Sequence, residues 1–212
     1  MERGLRWILA VAAWISELEG AVGRVPAPGQ EVLPLIALGG LFLFLWRGRE
    51  RWLGCAPMAA ALMLWVTSER PEVLISPTGG LVGLMAAEGR ILSKPQGDGF
   101  VASSWLENDG DAATQEAAFE RGAGQEFNLG GYKIVHVTGK RARSTGCGSA
   151  SILVVNQEPE TAPDCPAYTP KSLRDTGAVA LRFDNGKVQT LTTRAVTGRR
   201  LWNDSDVRAR AQ

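Results

Sequence analysis

Histidine and cysteine are scarce in this sequence, which has one histidine, His136, and three cysteines among 212 residues. A zinc hydrolase holds its ions with several imidazoles and leaves one coordination position open for water, so the histidine count excludes that kind of site. The sequence also lacks Cys-x-x-Cys pairs, zinc-ribbon spacings and a Gly-x-Ser-x-Gly motif. It therefore predicts no catalytic residue, no metal ligand, no cofactor and no enzymatic activity. His136 lies in the strand-like run KIVHVT, where a packed or hydrogen-bonded core residue is the favoured interpretation.

Lysine and aspartate are missing from residues 1–70, which carry 7 Arg and 6 Glu. Hydrophobic residues make up about 59% of that region and about 38% of residues 71–212, where 16 basic and 16 acidic residues balance. This asymmetry predicts two regions that need different surroundings. The net charge of +1 removes the simplest argument for a nucleic-acid partner.

Two uncharged runs predict membrane-spanning helices at about 32–47 and 52–68. The runs contain 15 and 17 residues, which at 1.5 Å per residue reach roughly 23 and 26 Å, so each needs its flanks to cross a bilayer of about 30 Å. Arg47, Arg49 and Arg51 lie between them, and a short basic loop is retained in the cytoplasm. This topology predicts a bacterial inner-membrane protein with residues 71–212 in the periplasm; a buried helical hairpin is the alternative.

Residues 1–23 predict an amphipathic helix at about 5–20 that lies in the membrane interface, because apolar residues recur at helical spacing. A cleaved signal peptide is the alternative, since Arg3 and Arg6 precede an apolar stretch. Glu17 and Glu19 and the lack of a small-x-small cleavage site oppose it.

After Pro71 the hydrophobic period becomes strand-like, which predicts one α/β or α+β layered domain over residues 71–212. The predicted strands are 72–76, 81–87, 90–93, 132–138, 151–156, 178–184 and 187–193, and the predicted helices lie near 103–109, 112–122 and 171–177. Asn185-Gly186 between alternating runs predicts a tight hairpin. The glycines of TGGLVG (78–83) predict a strand-to-strand turn, because no Gly-Lys-Ser/Thr follows as in a phosphate-binding loop.

Cys147 and Cys165 are the only cysteine pair after residue 70 and are 18 residues apart. In an oxidising compartment such a pair forms a disulfide that stabilises by roughly 3 kcal/mol, and we expect that bond here. Two unpaired thiols are the alternative, and Cys55 is expected to act as a small apolar residue.

Two basic clusters are candidate contacts for a polyanion such as single-stranded DNA. The first consists of Lys140, Arg141 and Arg143, and the second consists of Arg199 and Arg200, with Arg194 nearby. An ordinary solvated surface is the alternative, because residues 71–212 carry no net charge.

Several long phrases of the sequence are similar to one family. They are the stretch WILAVAAWI with GAVGRVPAPG after it, RPEVLISPTGGLVGLM (70–85), GRILSKPQGDGF (89–100), WLENDGD (105–111), TGAVALRF (176–183) and GRRLWN (198–203). In this order they resemble the C-terminal end of a ComEC-type competence protein of the alphaproteobacterial type, the membrane channel for transforming DNA. The resemblance covers nearly the whole chain.

The resemblance implies membrane helices followed by an external α/β domain of the metallo-β-lactamase-like kind. Members of this family are much longer, so the chain is expected to be a fragment or a truncated reading frame. Many members carry a His/Asp motif suited to a zinc nuclease, but no histidine accompanies GDGF or WLENDGD here, so a degenerate, non-catalytic domain is expected.

The expected function is therefore that of the C-terminal portion of a DNA-uptake channel with a non-catalytic external domain. The alternative is a membrane-anchored structural or protein-interaction domain without DNA contact. The expected partners are membrane lipid, other membrane helices of the same channel, single-stranded DNA and a second copy of the chain.

Overall fold

The structure is a computed structural model that describes residues 2–18, 23–122, 126–198 and 200. Within these residues it has eight α-helices, a short 3-10 helix at Arg49–Gly54 and nine strands. The helices are α1 (Glu2–Ser16), α2 (Val32–Leu45), α3 (Cys55–Val66), α4 (Gly99–Asp109), α5 (Gln115–Glu120), α6 (Arg141–Ser144), α7 (Pro170–Thr176) and α8 (Thr193–Thr197). The strands are β1 (Val73–Ile75), β2 (Val82–Ala86), β3 (Gly89–Leu92), β4 (Phe127–Leu129), β5 (Tyr132–Val137), β6 (Ile152–Val155), β7 (Ala167–Tyr168), β8 (Val179–Asp184) and β9 (Lys187–Thr192).

The fold class predicted from the sequence, membrane helices followed by a degenerate metallo-β-lactamase-like domain, is wrong for this structure. It is an α/β fold with two sheets, and no α-helix in the described part of the chain combines the length and apolar character needed to cross a bilayer. The membrane and transmembrane assignments of 32–47 and 52–68 are therefore corrected, as are the inner-membrane location and the periplasmic placement of residues 71–212.

The physical reason is that both apolar helices are shorter than their uncharged runs. The backbone leaves the helical conformation at Trp46, and after the 3-10 helix the next α-helix begins at Cys55. Helices of 14 and 12 residues reach only about 21 and 18 Å. The topological role predicted for Arg47, Arg49 and Arg51 rested on two spans and loses its basis.

The first three helices present most of their apolar side chains outward. α2 and α3 pack against each other, yet Phe44 is 92% exposed and Val66 is 88% exposed. α1 has no buried residue. The alternative of a buried helical hairpin is also incorrect, because only the side of each helix that faces the other is covered.

Two sheets form the centre of the remaining chain. The five-stranded sheet has the order β3-β2-β1-β8-β9 and is antiparallel throughout. The four-stranded sheet has the order β4-β5-β6-β7, with β5, β6 and β7 parallel. Their facing sides share one core, which includes Val73, Ile75 and Leu181 from the first sheet and Ile134 and Val154 from the second.

Helices cover the two outer faces, so the domain has four layers. α4 and α5 pack on the five-stranded sheet through a cluster that includes Leu92 and Leu106. α6 packs on the four-stranded sheet through the buried Ala142, beside Leu153 and Val155. Because alternate residues of a strand point to opposite faces, each central strand supplies one set of apolar side chains to the shared core and another to its helix layer.

A buried ion pair fixes α4 on its sheet. Arg90 of β3 is fully buried, and its Nε donates to Asp109 Oδ2 at 2.5 Å, while its Nη2 donates to Asp109 Oδ1 at 3.2 Å. The same Nη2 donates to the carbonyl of Pro71 at 3.3 Å. These bonds satisfy a guanidinium that would otherwise be costly to bury.

Residues 24–27 connect the helical region to the two-sheet region. The N–H of Ala27 donates to the carbonyl of Asn108 at 2.8 Å, and Trp65 Nε1 donates to the carbonyl of Pro26 at 2.8 Å. Gly110 ends α4 with φ +75°, and a Cβ there would lie 2.8 Å from the nitrogen of Pro26. We call residues 24–27 the strap; it lies against the end of α4 and also contacts α3.

The strand and helix predictions after Pro71 are confirmed within a few residues at each end. The hairpin is confirmed too, since Asn185 and Gly186 have φ of +50° and +78° and join β8 to β9. The sequence did not predict β4, β7, α6 or α8.

Candidate nucleic-acid interface

The turn between β1 and β2, residues 76–81, is the centre of the candidate site. Ser76 Oγ is buried and accepts hydrogen bonds from the N–H groups of Gly80 and Leu81, both at 3.1 Å. Gly79 has φ +67°, and a Cβ there would collide with the carbonyl of Val155 at the end of β6. The predicted strand-to-strand turn is confirmed, and it lies directly against the four-stranded sheet.

His136 joins this turn to the four-stranded sheet. It pairs with Val154 across β5 and β6, and its Nε2 lies 3.0 Å from the carbonyl oxygen of Gly79. Burial lowers the pKa of His136 below its ordinary value, an effect that the bond to Gly79 only partly offsets. A neutral ring that donates its Nε2–H to a carbonyl is a structural bridge, so the interpretation as a packed, hydrogen-bonded residue is confirmed.

Asp98 joins the same turn to α4. Its Oδ2 accepts from Thr78 Oγ1 at 2.7 Å and from Ser76 Oγ at 3.2 Å. Asp98 has φ +51°, which is uncommon for a residue other than glycine. The carboxylate therefore fixes the beginning of α4 beside the turn.

The donors around the turn do not fit the zinc ion that the family resemblance implies for many members. His136 is the only imidazole of the chain, and its Nε2 is bound to Gly79. Within the described residues no group of three or more His, Cys, Asp or Glu could hold a metal ion. No reaction step through a metal is therefore derived for this site.

The first basic cluster lies on and beside α6. Lys140, Arg141 and Arg143 are exposed, and Ala142 between them is buried and anchors the turn of helix. Lys140 and Arg141 make no ion pair with any carboxylate in the part of the chain that the structure describes. Arg143 Nε donates to Gln157 Oε1 at 2.9 Å, so it is held more firmly than its neighbours.

A disulfide between Cys147 and Cys165, whose Cα atoms are 6.0 Å apart, lies beside α6. It connects the loop after α6 to the residues just before β7. The cavity next to it, about 340 Å³, is lined by Arg143, Glu160 and Asp164 among others. Glu160 and Asp164 reduce the positive potential near Arg143. Lys140 and Arg141 are therefore the stronger candidates for contact with an anion.

The second basic cluster borders a cavity of about 740 Å³. Arg194 and Arg200 are the charged residues of its lining, which also includes Pro77. Arg200 Nε donates to the carbonyl of Thr197 at 3.1 Å. Arg199 lies outside the described residues.

The turn has a contact toward each basic cluster. Pro77 faces the cavity with Arg194, while Gly79, two residues later, contacts His136. Lys140 follows His136 by four residues, after β5 has ended at Val137. Hydrogen bonds from two segments, β5 and the residues before α4, hold this turn in place, and each basic cluster lies close in sequence or in space to a residue that the turn contacts.

Comparisons with protein families, with curated proteins and with solved structures found no match. This part of the domain carries exposed cations, and the described residues around the turn include no group that could hold a metal ion. An arrangement of that kind can bind an anionic chain.

The sequence did not single out Lys94, Asp98 or Phe100 as parts of this site. All three lie in the segment 93–100, which the turn positions through Asp98. One feature of the sequence could have identified this segment. Lys94 and Phe100 lie among Pro95, Gly97 and Gly99, and a segment rich in proline and glycine predicts an exposed loop, where functional side chains are common.

Proposed function

We propose that this chain contributes a non-cleaving, single-stranded-DNA-binding domain to DNA uptake of the ComEC type. The observation that carries the proposal is the exposed pair Lys140 and Arg141 at the beginning of α6, which has no carboxylate partner among the described residues. The resemblance of the long sequence phrases to ComEC-type proteins supports the assignment of this binding to DNA uptake.

Charge distribution matters more here than net charge. Residues 71–212 are neutral overall, but a phosphate chain responds to the cations within about 10 Å of it, because salt screens more distant charges. Arg194 and Arg200 line a cavity with Pro77 of the turn, and Lys140 and Arg141 follow β5, the strand whose His136 contacts the turn. Neutralising phosphates with these side chains releases counterions, so binding is expected to weaken steeply as salt rises.

Absence of cleavage is part of the proposal. The imidazole nitrogen nearest the turn is bound to Gly79, and Asp98 Oδ2 already accepts from two hydroxyls. These two atoms are therefore engaged in hydrogen bonds that hold the turn, and neither is positioned as a general base for water.

The test is the binding of a fluorescein-labelled 20-residue oligo(dT) to the full chain, measured by fluorescence anisotropy from 25 to 300 mM salt. Because each phosphate contact to a single strand contributes about 0.7 to the slope of log K against log salt, the double variant Lys140→Ala/Arg141→Ala should lower that slope by roughly 1.4. The oligonucleotide should remain intact on a gel with Mg²⁺, Mn²⁺ or Zn²⁺ present.

A matched control removes the same charge elsewhere. Lys187 lies in the β8–β9 hairpin and Arg3 lies on α1, so Lys187→Ala/Arg3→Ala should leave the slope unchanged. Equal slopes for both double variants, or no binding at 25 mM salt, would overturn the proposal. Metal-dependent cutting would overturn its non-cleaving part.

A second candidate function is assembly with another copy of this chain through the outer faces of α2 and α3. The observation that favours it is the extreme exposure of Phe44 and Val66 on these faces, because large exposed apolar patches mark interaction surfaces. Sedimentation velocity of the wild type against Phe44→Ser/Val66→Ser tests it. A dimer that the double variant dissociates supports assembly, and a wild-type monomer at 50 μM contradicts it.

A further inference from the structure

Phe100 is the most exposed large apolar side chain among the described residues of the two-sheet region. Its exposed fraction is 88%, whereas Tyr132, Leu191 and Val196 are 38%, 55% and 49% exposed. Its neighbours in α4, Ala102 and Leu106, belong to the apolar cluster beneath the helix, and Phe100 does not. The ring therefore contributes little to the packing of α4 on its sheet.

The segment before Phe100 is polar and carries one charge of each sign, Lys94 and Asp98. Phe100 follows Asp98, which is bound to the β1–β2 turn, and Lys94 begins the same loop. Both Lys94 and Asp98 act electrostatically on His136, so the loop lies near the carboxyl end of β5, from which the chain continues to Lys140.

Hydrogen bonds hold the loop 94–98, which leads into α4 and Phe100. Gln115 Nε2 of α5 donates to the carbonyl of Gly97 at 2.7 Å and to that of Lys94 at 3.3 Å. Thr78 Oγ1 fixes Asp98 at 2.7 Å. An exposed ring in the first turn of α4, next to a loop held in this way, loses little conformational freedom when a flat ligand covers it, and such preorganisation favours binding.

From this placement we infer that Phe100 is a stacking site for one base of single-stranded DNA and that Lys94 contacts the phosphate beside that base. The inference rests on the proposed function and adds a subsite to it. An aromatic face next to a cation is the combination that binds single strands without sequence preference, because every base has a flat π-face. The strand would then extend from the loop 94–100 across the β1–β2 turn to Lys140 and Arg141.

The experiment compares two fluorescein-labelled probes of equal length and charge, a 15-residue oligo(dT) and a 15-residue abasic strand of tetrahydrofuran nucleotides. Binding to the full chain is measured by anisotropy at 50 mM salt. Phe100→Ala should weaken oligo(dT) binding about fivefold to hundredfold and leave abasic-strand binding unchanged. Phe100→Trp should retain wild-type affinity for oligo(dT), and Lys94→Ala should weaken both probes by the same factor.

Leu191→Ala is the control, because Leu191 is exposed on β9 and has no part in the proposed surface; it should change neither probe. If the wild type binds oligo(dT) and Phe100→Ala binds it equally well, the stacking site is overturned and the proposed function stands. If Phe100→Ala weakens both probes equally, stacking is overturned as well. If the wild type binds neither probe, the proposed function fails and the stacking site fails with it.

Discussion

The helical region, α1 to α3, and the two-sheet region, β1 to α8, use the same apolar residue types in opposite ways. In the two-sheet region Val73, Ile75 and Leu181 are fully buried between layers, whereas in the helical region Phe44 and Val66 face outward. Burial stabilises a fold in proportion to the apolar area removed from water. The two-sheet region therefore contributes most of the stability of the chain. The helical region contributes little, although its sequence is the more hydrophobic of the two.

The strongest test of that comparison is Arg90→Met in the two-sheet region. The substitution leaves the carboxylate of Asp109, with only 7% of its side chain exposed, without its main partner. We expect the free energy of unfolding, measured by urea denaturation, to fall by about 3–5 kcal/mol. Arg90→Met/Asp109→Leu should recover much of that loss, because it removes the buried charge together with its partner. Equal stability of the wild type and Arg90→Met would contradict the assignment of this pair to the core.

The second test places the same kind of truncation in both regions. Leu181→Ala creates a cavity between the two sheets and should cost about 2–5 kcal/mol. Phe44→Ala removes a ring that is already in solvent and should change stability by less than about 0.5 kcal/mol. Comparable losses for the two variants in urea denaturation would refute the proposed difference between the regions.

The strap between the regions is tested by Gly110→Ala, which should cost about 1–3 kcal/mol, since a Cβ is strained at φ +75° and meets Pro26. The matched control is Gly186→Ala, which has φ +78° but no atom within 4 Å of the added Cβ. Only Gly110→Ala should displace the strap and accelerate tryptic cleavage after Arg24. Equal cleavage rates in both variants would show that the strap does not depend on this contact.

The smallest effect concerns His136, the only imidazole of the chain and hence a single histidine signal by NMR. Burial lowers its pKa in the folded state below the ordinary 6.5, so the unfolded chain binds the proton more tightly. The neutral His136 ring therefore contributes to the free energy of unfolding above pH 6.5, and this contribution is lost as the pH falls below 6.5. We expect a folded-state titration midpoint below 6.5 and a weaker pH dependence of unfolding between pH 7.5 and 5.5 in His136→Gln. A midpoint at or above 6.5 would be inconsistent with a buried ring.

Local chemistry explains what the sequence could predict of the fold. Alternating apolar residues and the turn Asn185-Gly186 located β8 and β9, because both signals act within a few residues. β7 has only two residues and α6 only four, and elements this short exist through contacts with distant segments. The spans were mispredicted because an uncharged run does not specify how much of it is helical: α3 begins three residues after the second run begins and ends two residues before that run ends.

The candidate site was predictable only in part. Lys140, Arg141 and Arg143 could be found as a basic cluster, and Cys147 and Cys165, expected as a pair, are joined in the structure. The role of the β1–β2 turn could not be predicted, because it depends on contacts of Gly79 and Thr78 with segments 57 and 20 residues away. Asp98 was identified only through its contact with Thr78, and Phe100 only through its exposure at the beginning of α4.

The position of α4 has a mechanical consequence. Its last residues, Asn108 and Asp109, hold the strap and the buried Arg90, while its beginning carries Asp98 and Phe100. Eleven residues of helix form a stiff rod of about 16 Å. Both ends of this rod are tied to other elements, the last turn to the strap and to β3 and the beginning to the β1–β2 turn, so α4 sets the spacing between the strap and Phe100.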